Sequence, residues 1–235
     1  MTDLQSKTDS WKLFDRIARR YDRLNLVLSF GMSTGWRCSM VACIPQKADL
    51  DALDVATGTA DIPLILALSR SNVRKIIGLD LSEGMLSVGR QKLERAGCSS
   101  RIELRSGDGQ ALPFEDNAFD VVSCGFGLRN FPDLMKGITE AYRVLRPGGS
   151  FIVLEFSRPD GFPARQLHQA YLRFVVPLVG FVLTGDQKAY VYLSRTVAAF
   201  PYGERFMSII RQAGFREVKR RPCFLGAATI YISSK

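Results

Sequence analysis

Residues 50–61 of this 235-residue chain read LDALDVATGTAD, an apolar run that breaks into a turn of small residues. A helical pattern then begins, with Pro63 in its first turn. Proline is favoured at the start of a helix because its missing N–H would have no partner there. Small residues between a strand and a helix N-terminus let a ligand contact the backbone. The stretch therefore predicts a ligand-binding strand–turn–helix unit, with an ordinary βα connection as the alternative.

Apolar runs and helix-like stretches alternate along the chain. The runs predict strands at 50–56, 73–80, 101–105, 118–125 and 150–156, and the stretches predict helices near 62–70, 83–97 and 134–145. Such alternation is typical of a parallel sheet covered by helices on both faces. Two further runs, 215–221 and 225–233, predict a terminal antiparallel hairpin. We expect an α/β, Rossmann-like fold with a seven-stranded, mostly parallel sheet that ends in this hairpin.

The rest of the chain is predicted to be helical. Residues 1–45 precede the first strand and are expected to form an N-terminal helical cap, and 46–235 the main domain. Helices at 164–183, 186–199 and 204–213 predict an insertion near 160–205. Its most apolar part, FVVPLVGFVL at 174–183, is too short to span a bilayer. A buried helix, an apolar lid over a hydrophobic ligand and an interfacial contact all remain open.

Composition limits the class of protein. The start of the sequence is polar, without the apolar region of a secretory signal, and we expect a cytoplasmic protein. Five cysteines without paired spacing suit a reducing compartment, and a single histidine makes a metal site unexpected. The net charge of +9 suits nucleic acid, anionic lipid or acidic partners. A well-solvated basic surface explains the same charge.

The predicted strands end in acidic or small residues. In open α/β sheets, ligands bind outside the carboxyl ends of the strands. Asp80 ends the second strand, 22 residues after Gly58, close to the separation expected for an acid that binds ribose hydroxyls. Asp108 follows the third strand, where an acid can meet an adenine amino group, and Gly125 ends the fourth. This edge of the sheet therefore predicts a site for a nucleoside-containing cofactor.

The first turn favours one cofactor over another. A dinucleotide site needs the pattern G-x-G-x-x-G, whereas this turn holds only Gly58. Asp61 also places a negative charge where a pyrophosphate would lie. A sulfonium and an ammonium group tolerate that acid, and the terminal hairpin is typical of the methyltransferase version of the fold. The predicted cofactor is therefore S-adenosylmethionine rather than NAD.

Two longer motifs carry a family resemblance. Residues 143–157, RVLRPGGSFIVLEFS, and residues 21–25, YDRLN, followed by Ser29 and Trp36, resemble the two signatures of the ubiquinone/menaquinone-biosynthesis C-methyltransferases. FGLRN at 126–130 and QALPF at 110–114 are also similar to that family. Ser33 departs from it, because a histidine is usual there. The turn TGTAD at 57–61 resembles the menaquinone-type members.

The resemblance implies S-adenosylmethionine-dependent C-methylation of a prenylated quinol in menaquinone or ubiquinone biosynthesis. It implies cofactor contacts from Thr59, Asp80, Asp108 and Gly109, which agree with the strand ends chosen above. The predicted cofactor-binding residues are Asp54, Gly58, Thr59, Asp61, Asp80, Asp108, Gly109 and Gly125.

Arg129, Asn130 and Tyr21 are the predicted catalytic residues. C-methylation needs an electron-rich ring carbon, and a phenol with a pKa of about 10 ionises at neutral pH only with help. Arg129 would stabilise the phenolate and Asn130 would orient the ring, while Tyr21 with Asp22 would complete a proton relay. A salt bridge for Arg129 and core packing for Tyr21 are the alternatives. His168 is expected in a surface or packing position.

The prenyl tail also needs a place to bind. The 164–199 segment offers Phe174, Val175, Leu178 and Phe181, and with the basic C-terminal region it predicts contact with the inner face of an anionic membrane. No nucleic-acid partner is expected, because the motifs of nucleic-acid methyltransferases are missing after the fourth strand. Such an enzyme, a methyltransferase for another small molecule, and a non-catalytic binding protein are the alternatives. A homodimer remains open.

Overall fold

The structure is a computed structural model that describes residues 7–159, 161–176, 179 and 187–235. Strands and helices alternate from Leu50 to Phe156, as the apolar runs predict. The strands are β1 (Leu50–Val55), β2 (Val73–Asp80), β3 (Ile102–Ser106), β4 (Phe119–Gly125), β5 (Leu145–Phe156), β6 (Arg216–Cys223) and β7 (Ala228–Ser234). The helices are α1 (Ser10–Leu28), α2 (Met32–Val41), α3 (Asp61–Ser69), α4 (Glu83–Arg95), α5 (Leu134–Val144), α6 (Ala164–Ala170), α7 (Gln187–Ala199) and α8 (Glu204–Gln212).

The seven strands form one sheet in the order β3-β2-β1-β4-β5-β7-β6. β1 to β5 run parallel, and β7 runs antiparallel between β5 and β6. The predicted fold class is therefore confirmed. The chain moves outward from β1 to β3 and then returns to pair β4 with β1, so the switch point of the sheet lies between β1 and β4. Ligands of open α/β sheets bind at such a point.

Side-chain alternation explains why the sheet is covered on both faces. Leu53, Val122 and Val153 belong to one buried cluster, and Ala52, Val121 and Ile152 belong to the other. Successive residues of a strand point to opposite faces, so a strand that is apolar throughout must be covered on both sides. Helices α5 and α8 contribute to the first cluster, and α2, α3 and α4 to the second.

The largest difference from the predicted elements is the start of β5. It begins at Leu145, which pairs with Phe119, rather than at 150. The register shifts before Val121, which pairs with Ser150, because the strand passes through Pro147, Gly148 and Gly149. The sequence Pro-Gly-Gly suggests a turn, whereas in the fold it is an irregularity within the strand.

Helices outside the sheet lie near its carboxyl edge. The Asp15 carboxylate of α1 accepts hydrogen bonds from the Ser82 hydroxyl (2.6 Å) and the Gly84 N–H (2.7 Å) at the start of α4. Helix α6 continues into a π-helical turn, Tyr171–Val175, and the Tyr171 hydroxyl donates to the Leu28 carbonyl oxygen of α1. The division into a cap at 1–45 and an insertion near 160–205 stays a prediction.

Two residues proposed for the prenyl tail, Leu178 and Phe181, lie outside the described residues. None of the helices in the described ranges is long and apolar enough to span a membrane.

Candidate active site

The turn after β1 has a strained backbone. Ala56 and Ala60 adopt positive φ angles of 55° and 62°, on either side of Gly58 at 56°. Residues with a Cβ are disfavoured in this left-handed region, and such strain clusters at functional sites. Asp80, at the end of β2, holds the turn by accepting a hydrogen bond from the Gly58 N–H at 2.8 Å. This hydrogen bond to the end of the neighbouring strand therefore stabilises the conformation of the turn.

A cavity of about 150 Å³ lies at this edge of the sheet. Five of the eight predicted cofactor-binding residues line it: Gly58, Asp80, Asp108, Gly109 and Gly125. Helix α1 closes the cavity with side chains that include Trp11, Phe14 and Tyr21. The strand ends of β1 to β4 thus face one space, which α1 covers.

The other three predicted cofactor-binding residues do not line this cavity, and each contacts side chains of the protein itself. Asp54 is buried beneath the turn, where it accepts hydrogen bonds from the Thr57 hydroxyl (2.7 Å) and the Ser123 hydroxyl (2.6 Å). Burial raises the pKa of Asp54 to about 7. Thr59 donates to Asp22 at 2.6 Å, and Asp61 pairs with Lys92.

These partners weaken one part of the electrostatic argument for the cofactor. The charge of Asp61 is balanced within the chain by Lys92, with the Arg37 guanidinium at 3.7 Å. The cofactor contacts of Asp54, Thr59 and Asp61 stay predictions.

The cavity residues fit S-adenosylmethionine. Asp80 accepts one N–H at each carboxylate oxygen, from Gly58 (2.8 Å) and Ser82 (2.9 Å), and each oxygen keeps a lone pair for a ribose hydroxyl. Burial raises the pKa of Asp80. Asp108 accepts from the Gln110 N–H at 2.9 Å and keeps a second oxygen for an adenine amino group.

The small residues of the cavity are also required by packing. A Cβ on Gly109 would come within 2.6 Å of Phe131 Cζ, and one on Gly125 within 2.4 Å of Ile62 Cδ1. At both positions a side chain would force neighbouring atoms to move, so the backbone is held where a ligand can approach it. Gly125 is therefore required by the packing of Ile62 and also lines the cavity.

A second cavity, of about 380 Å³, adjoins the first. Its walls are mainly apolar and come from α1, α2, the end of β5, α6 and the β6–β7 connection. Four residues line both cavities: Phe14, Tyr21, Phe126 and Asn130. A cofactor in the smaller cavity and an apolar substrate in the larger would therefore meet at these residues, two of which are predicted catalytic residues.

Arg129 lines the larger cavity from a buried position, 3% exposed. Its guanidinium contacts the Glu155 carboxylate at 3.0 Å and donates to the Phe126 carbonyl oxygen. Nε of Arg129 is buried and has no hydrogen-bond partner among the described residues. The ion pair given as the alternative is present, and the guanidinium retains N–H groups without a partner among the described residues.

Asn130 and Tyr21 lie on the boundary between the cavities. The Tyr192 hydroxyl of α7 donates to Asn130 Oδ1 at 3.2 Å, which fixes the orientation of the amide. Tyr21 packs edge-on against Phe14, with ring centroids 6.0 Å apart. Asp22, proposed as the relay partner of Tyr21, binds Thr59 and Lys92 instead. The catalytic roles of all these residues stay predictions.

Sequence reasoning missed a tilted aromatic pair in the wall of the larger cavity. Phe126 and Phe156 lie 4.6 Å apart, with the guanidinium of Arg37 over the first ring and that of Arg129 over the second, 5.6 and 5.2 Å from the centroids. Guanidinium groups are attracted to the faces of aromatic rings. Phe126 has a φ of 59°, and no local pattern in the sequence indicates this.

Two other residues that the sequence singles out, His168 and Ser33, also line the larger cavity. His168, expected in a surface or packing position, lines the cavity, and burial lowers its pKa. Ser33, which stands where the family usually has histidine, also lines it and donates its backbone N–H to the Ser29 hydroxyl at 3.0 Å.

Comparison with known proteins decides the family. Residues 1–235 match the ubiE/COQ5 methyltransferase family. The chain belongs to this family. Demethylmenaquinone methyltransferase of Bacteroides fragilis is 41% identical over 95% of this chain and 91% of its own. The enzymes of that name from Porphyromonas gingivalis and Geobacillus kaustophilus are 40% and 38% identical, over 95% of this chain and 91% and 95% of their own.

Solved structures agree with the fold of this UbiE/COQ5 protein. A S-adenosylmethionine-dependent methyltransferase from Thermotoga maritima has a TM-score of 0.65 and 20% identity, covering 96% of this chain and 99% of its own. Phosphoethanolamine N-methyltransferase 2 of Haemonchus contortus, solved with S-adenosylhomocysteine, has a TM-score of 0.59 and 16% identity, covering 81% of this chain and 50% of its own.

Family and fold together confirm the predicted resemblance and cofactor. The UbiE/COQ5 protein is a S-adenosylmethionine-dependent C-methyltransferase, and the alternatives of a nucleic-acid enzyme and a non-catalytic binding protein are not favoured.

Proposed function

We propose that this protein methylates a ring carbon of demethylmenaquinol, the reduced form of a prenylated naphthoquinone. One observation carries the proposal: a large apolar cavity shares four wall residues with the cofactor cavity. A mostly hydrocarbon substrate fits such walls, and the shared residues mark the place where its ring would meet the methyl donor. The demethylmenaquinone methyltransferases at 38–41% identity support the same substrate.

The chain's own residues supply ring activation. Bound S-adenosylmethionine supplies an electrophilic methyl group. Arg129 lines the substrate cavity, and its guanidinium keeps N–H groups without a partner among the described residues; such a group can donate to a ring oxygen and favour the phenolate. Glu155 balances the buried guanidinium, so Arg129 acts through this hydrogen bond more than through net charge.

The remaining roles concern orientation and the protons. A phenolate directs electron density to the adjacent ring carbon, to which bound S-adenosylmethionine would supply its methyl group. The hydrogen on that ring carbon then leaves as a proton, which restores the aromatic ring. Asn130, which accepts a hydrogen bond from Tyr192, would orient the ring, and Tyr21, which lines both cavities, would accept or pass on a proton. Alignment of the two reactants contributes a large part of the rate.

We also propose that the protein works in the cytoplasm, in peripheral contact with the inner face of an anionic membrane. Its substrate is a membrane lipid, and the cavity proposed to bind it opens at the protein surface.

Incubation with methyl-labelled S-adenosylmethionine tests the substrate. Short-tailed demethylmenaquinol and a reduced ubiquinone precursor are supplied separately under anaerobic conditions, and label on the quinone ring is measured after extraction. We expect label on the naphthoquinol. Label only on the ubiquinone precursor would refute the menaquinone substrate, and label on neither, with S-adenosylmethionine binding intact, would refute quinol methylation.

A further inference from the structure

Large apolar side chains surround the opening of the larger cavity. Phe30, Leu167, Phe224 and Leu225 all line it, yet they are 75%, 67%, 57% and 76% exposed. A side chain that both lines a cavity and is mostly exposed lies at the cavity's mouth. We call these four residues the apolar rim. Exposed apolar residues gathered at one opening mark an interaction surface rather than ordinary surface variation.

The backbone of the rim is unusual. Phe30 has a φ of 50°. Phe224 and Leu225, which are consecutive in the chain, have φ of 38° and 54°. Bulky residues are disfavoured in this region, where glycine or asparagine would relieve the strain. At these two turns, bulky apolar residues occupy positions that suit glycine, and their side chains contact water. Neither backbone stability nor core packing explains bulky apolar side chains at these positions. We therefore attribute these side chains to contact with a binding partner.

Charge identifies the partner. The strand leading to Phe224 carries Arg220 and Arg221 near the rim, where Cys223 pairs with Ala228, whereas Arg216 and Lys219 lie toward its opposite end, where Arg216 pairs with Ser234. In residues 164–175, around Leu167, the charged residues are Arg165 and Arg173, and the turn 25–31 around Phe30 has none. An apolar surface flanked by basic side chains is complementary to a bilayer that contains anionic lipid.

We infer that the apolar rim inserts into the interface of an anionic bilayer, so that the larger cavity opens directly into the lipid. The inference rests on the proposed function, because a prenylated quinol could then enter without crossing water. The ring would reach the residues shared with the cofactor cavity while the distal part of the tail remains in the membrane. Basic side chains around the rim would face lipid phosphates.

Vesicle co-sedimentation tests the inference on the full-length protein. The vesicles contain phosphatidylcholine, alone or with 30 mol% phosphatidylglycerol as a chosen test composition. The variant combines Phe30→Glu and Leu225→Glu. The matched control is Leu68→Glu on α3, because Leu68 is 67% exposed and lies outside both cavities. S-adenosylmethionine affinity, measured by calorimetry, verifies that each variant is folded.

We expect the wild type and Leu68→Glu to bind the anionic vesicles and the double variant to bind at least tenfold more weakly. Raised salt should weaken wild-type binding only in part, since apolar contact persists. Equal vesicle binding by the double variant would overturn the inference. So would a wild-type dimer, seen by sedimentation velocity without vesicles, that the double variant disrupts, because a second copy would then cover the rim.

Quinol methylation and membrane insertion of the apolar rim can be refuted independently. Methylation of detergent-solubilised quinol without vesicle binding would remove the inference and leave the proposed function in place. Rim-dependent vesicle binding without methylation of either quinol would remove the proposed function, and the rim would remain a membrane contact.

Discussion

The Thr59 hydroxyl donates a 2.6 Å hydrogen bond to the Asp22 carboxylate, which joins the turn after β1 to helix α1. Lys92 of α4 contacts the other oxygen of Asp22 at 3.0 Å and also pairs with Asp61. The helix that covers the cofactor cavity is therefore held by the same turn that forms the cavity floor. We therefore expect cofactor binding to depend on this contact.

Asp22→Ala should weaken S-adenosylmethionine binding by about five- to thirty-fold. The substitution removes two contacts of a charged group, and it loosens α1, which Asp15 still joins to α4, over the cavity that its side chains help to close. Lys92 keeps Asp61 as a partner, so no charge is left unpaired. Calorimetric titration measures the affinity.

Asp9→Ala is the control for this prediction, since Asp9 lies just before the same helix and its pair with Lys12 is exposed. It should bind the cofactor like the wild type. An Asp22→Ala variant with unchanged affinity would show that the contact is structural only.

The strands were predictable because their apolar runs are long and continuous. The boundaries of β2 match the prediction, and those of β1 and β4 differ by one residue at one end. A buried strand needs apolar residues throughout, so its signal is local. β5 was predicted too short because Pro147 and the glycines after it suggest a turn, and only pairing with β4 extends the strand.

Asp80→Asn should weaken S-adenosylmethionine binding by about ten- to a hundred-fold. The amide keeps one acceptor oxygen, so it cannot hold the Gly58 and Ser82 N–H groups and also accept two ribose hydroxyls. Because the loss concerns the ribose, adenosine binding should weaken in parallel. Glu103→Gln, an exposed acid on β3, is the control and should leave both affinities unchanged. A weaker affinity for the cofactor with normal adenosine binding would contradict the assignment.

The residues that line the cavity were predictable where they follow a strand, and contacts between distant elements were not. Asp80, Asp108 and Gly109 were identifiable because parallel strands bring their carboxyl ends to one edge. Arg37 and Phe126 were not, since their contact joins α2 to the end of β4 and depends on a positive φ at the phenylalanine. Local sequence carries no signal for contacts of that kind.

Arg129→Lys should lower kcat by about a hundred- to a thousand-fold, with the affinity for S-adenosylmethionine within twofold of the wild type. Lysine keeps a positive charge beside Glu155 but lacks the planar guanidinium and its remaining N–H groups. Removal of one preorganised donor at a developing oxyanion has an effect of this size. Single-turnover methylation of demethylmenaquinol measures the rate.

Arg143→Lys is the matched control for this prediction. Arg143 also pairs with a carboxylate, that of Glu140, but it lies outside both cavities. Its kcat should stay near that of the wild type. If the two variants lose the same rate, the effect of Arg129 is on folding rather than on the ring oxygen.

The buried carboxyl of Asp54 should make folding stability depend on pH. Its pKa is about 7 in the folded protein, above the value of about 3.9 for an unfolded chain. Between about pH 4 and 7 the folded protein therefore holds a proton that the unfolded chain has released. The contribution of Asp54 to the free energy of unfolding is greatest below about pH 4 and is lost as the pH rises to about 7. Between about pH 5 and 8 the loss is about 2 to 3 kcal/mol.

Asp54→Asn should remove this dependence, because the amide does not titrate and its oxygen still accepts from the Thr57 or Ser123 hydroxyl. Urea denaturation at pH 5 and pH 8 measures the free energy of unfolding of both proteins. The wild type should lose about 2 to 3 kcal/mol more than the variant between these two pH values. Asp9→Asn controls for loss of an exposed aspartate. Parallel pH profiles for the wild type and Asp54→Asn would show that Asp54 is ionised in the folded protein, held by its two hydroxyl donors.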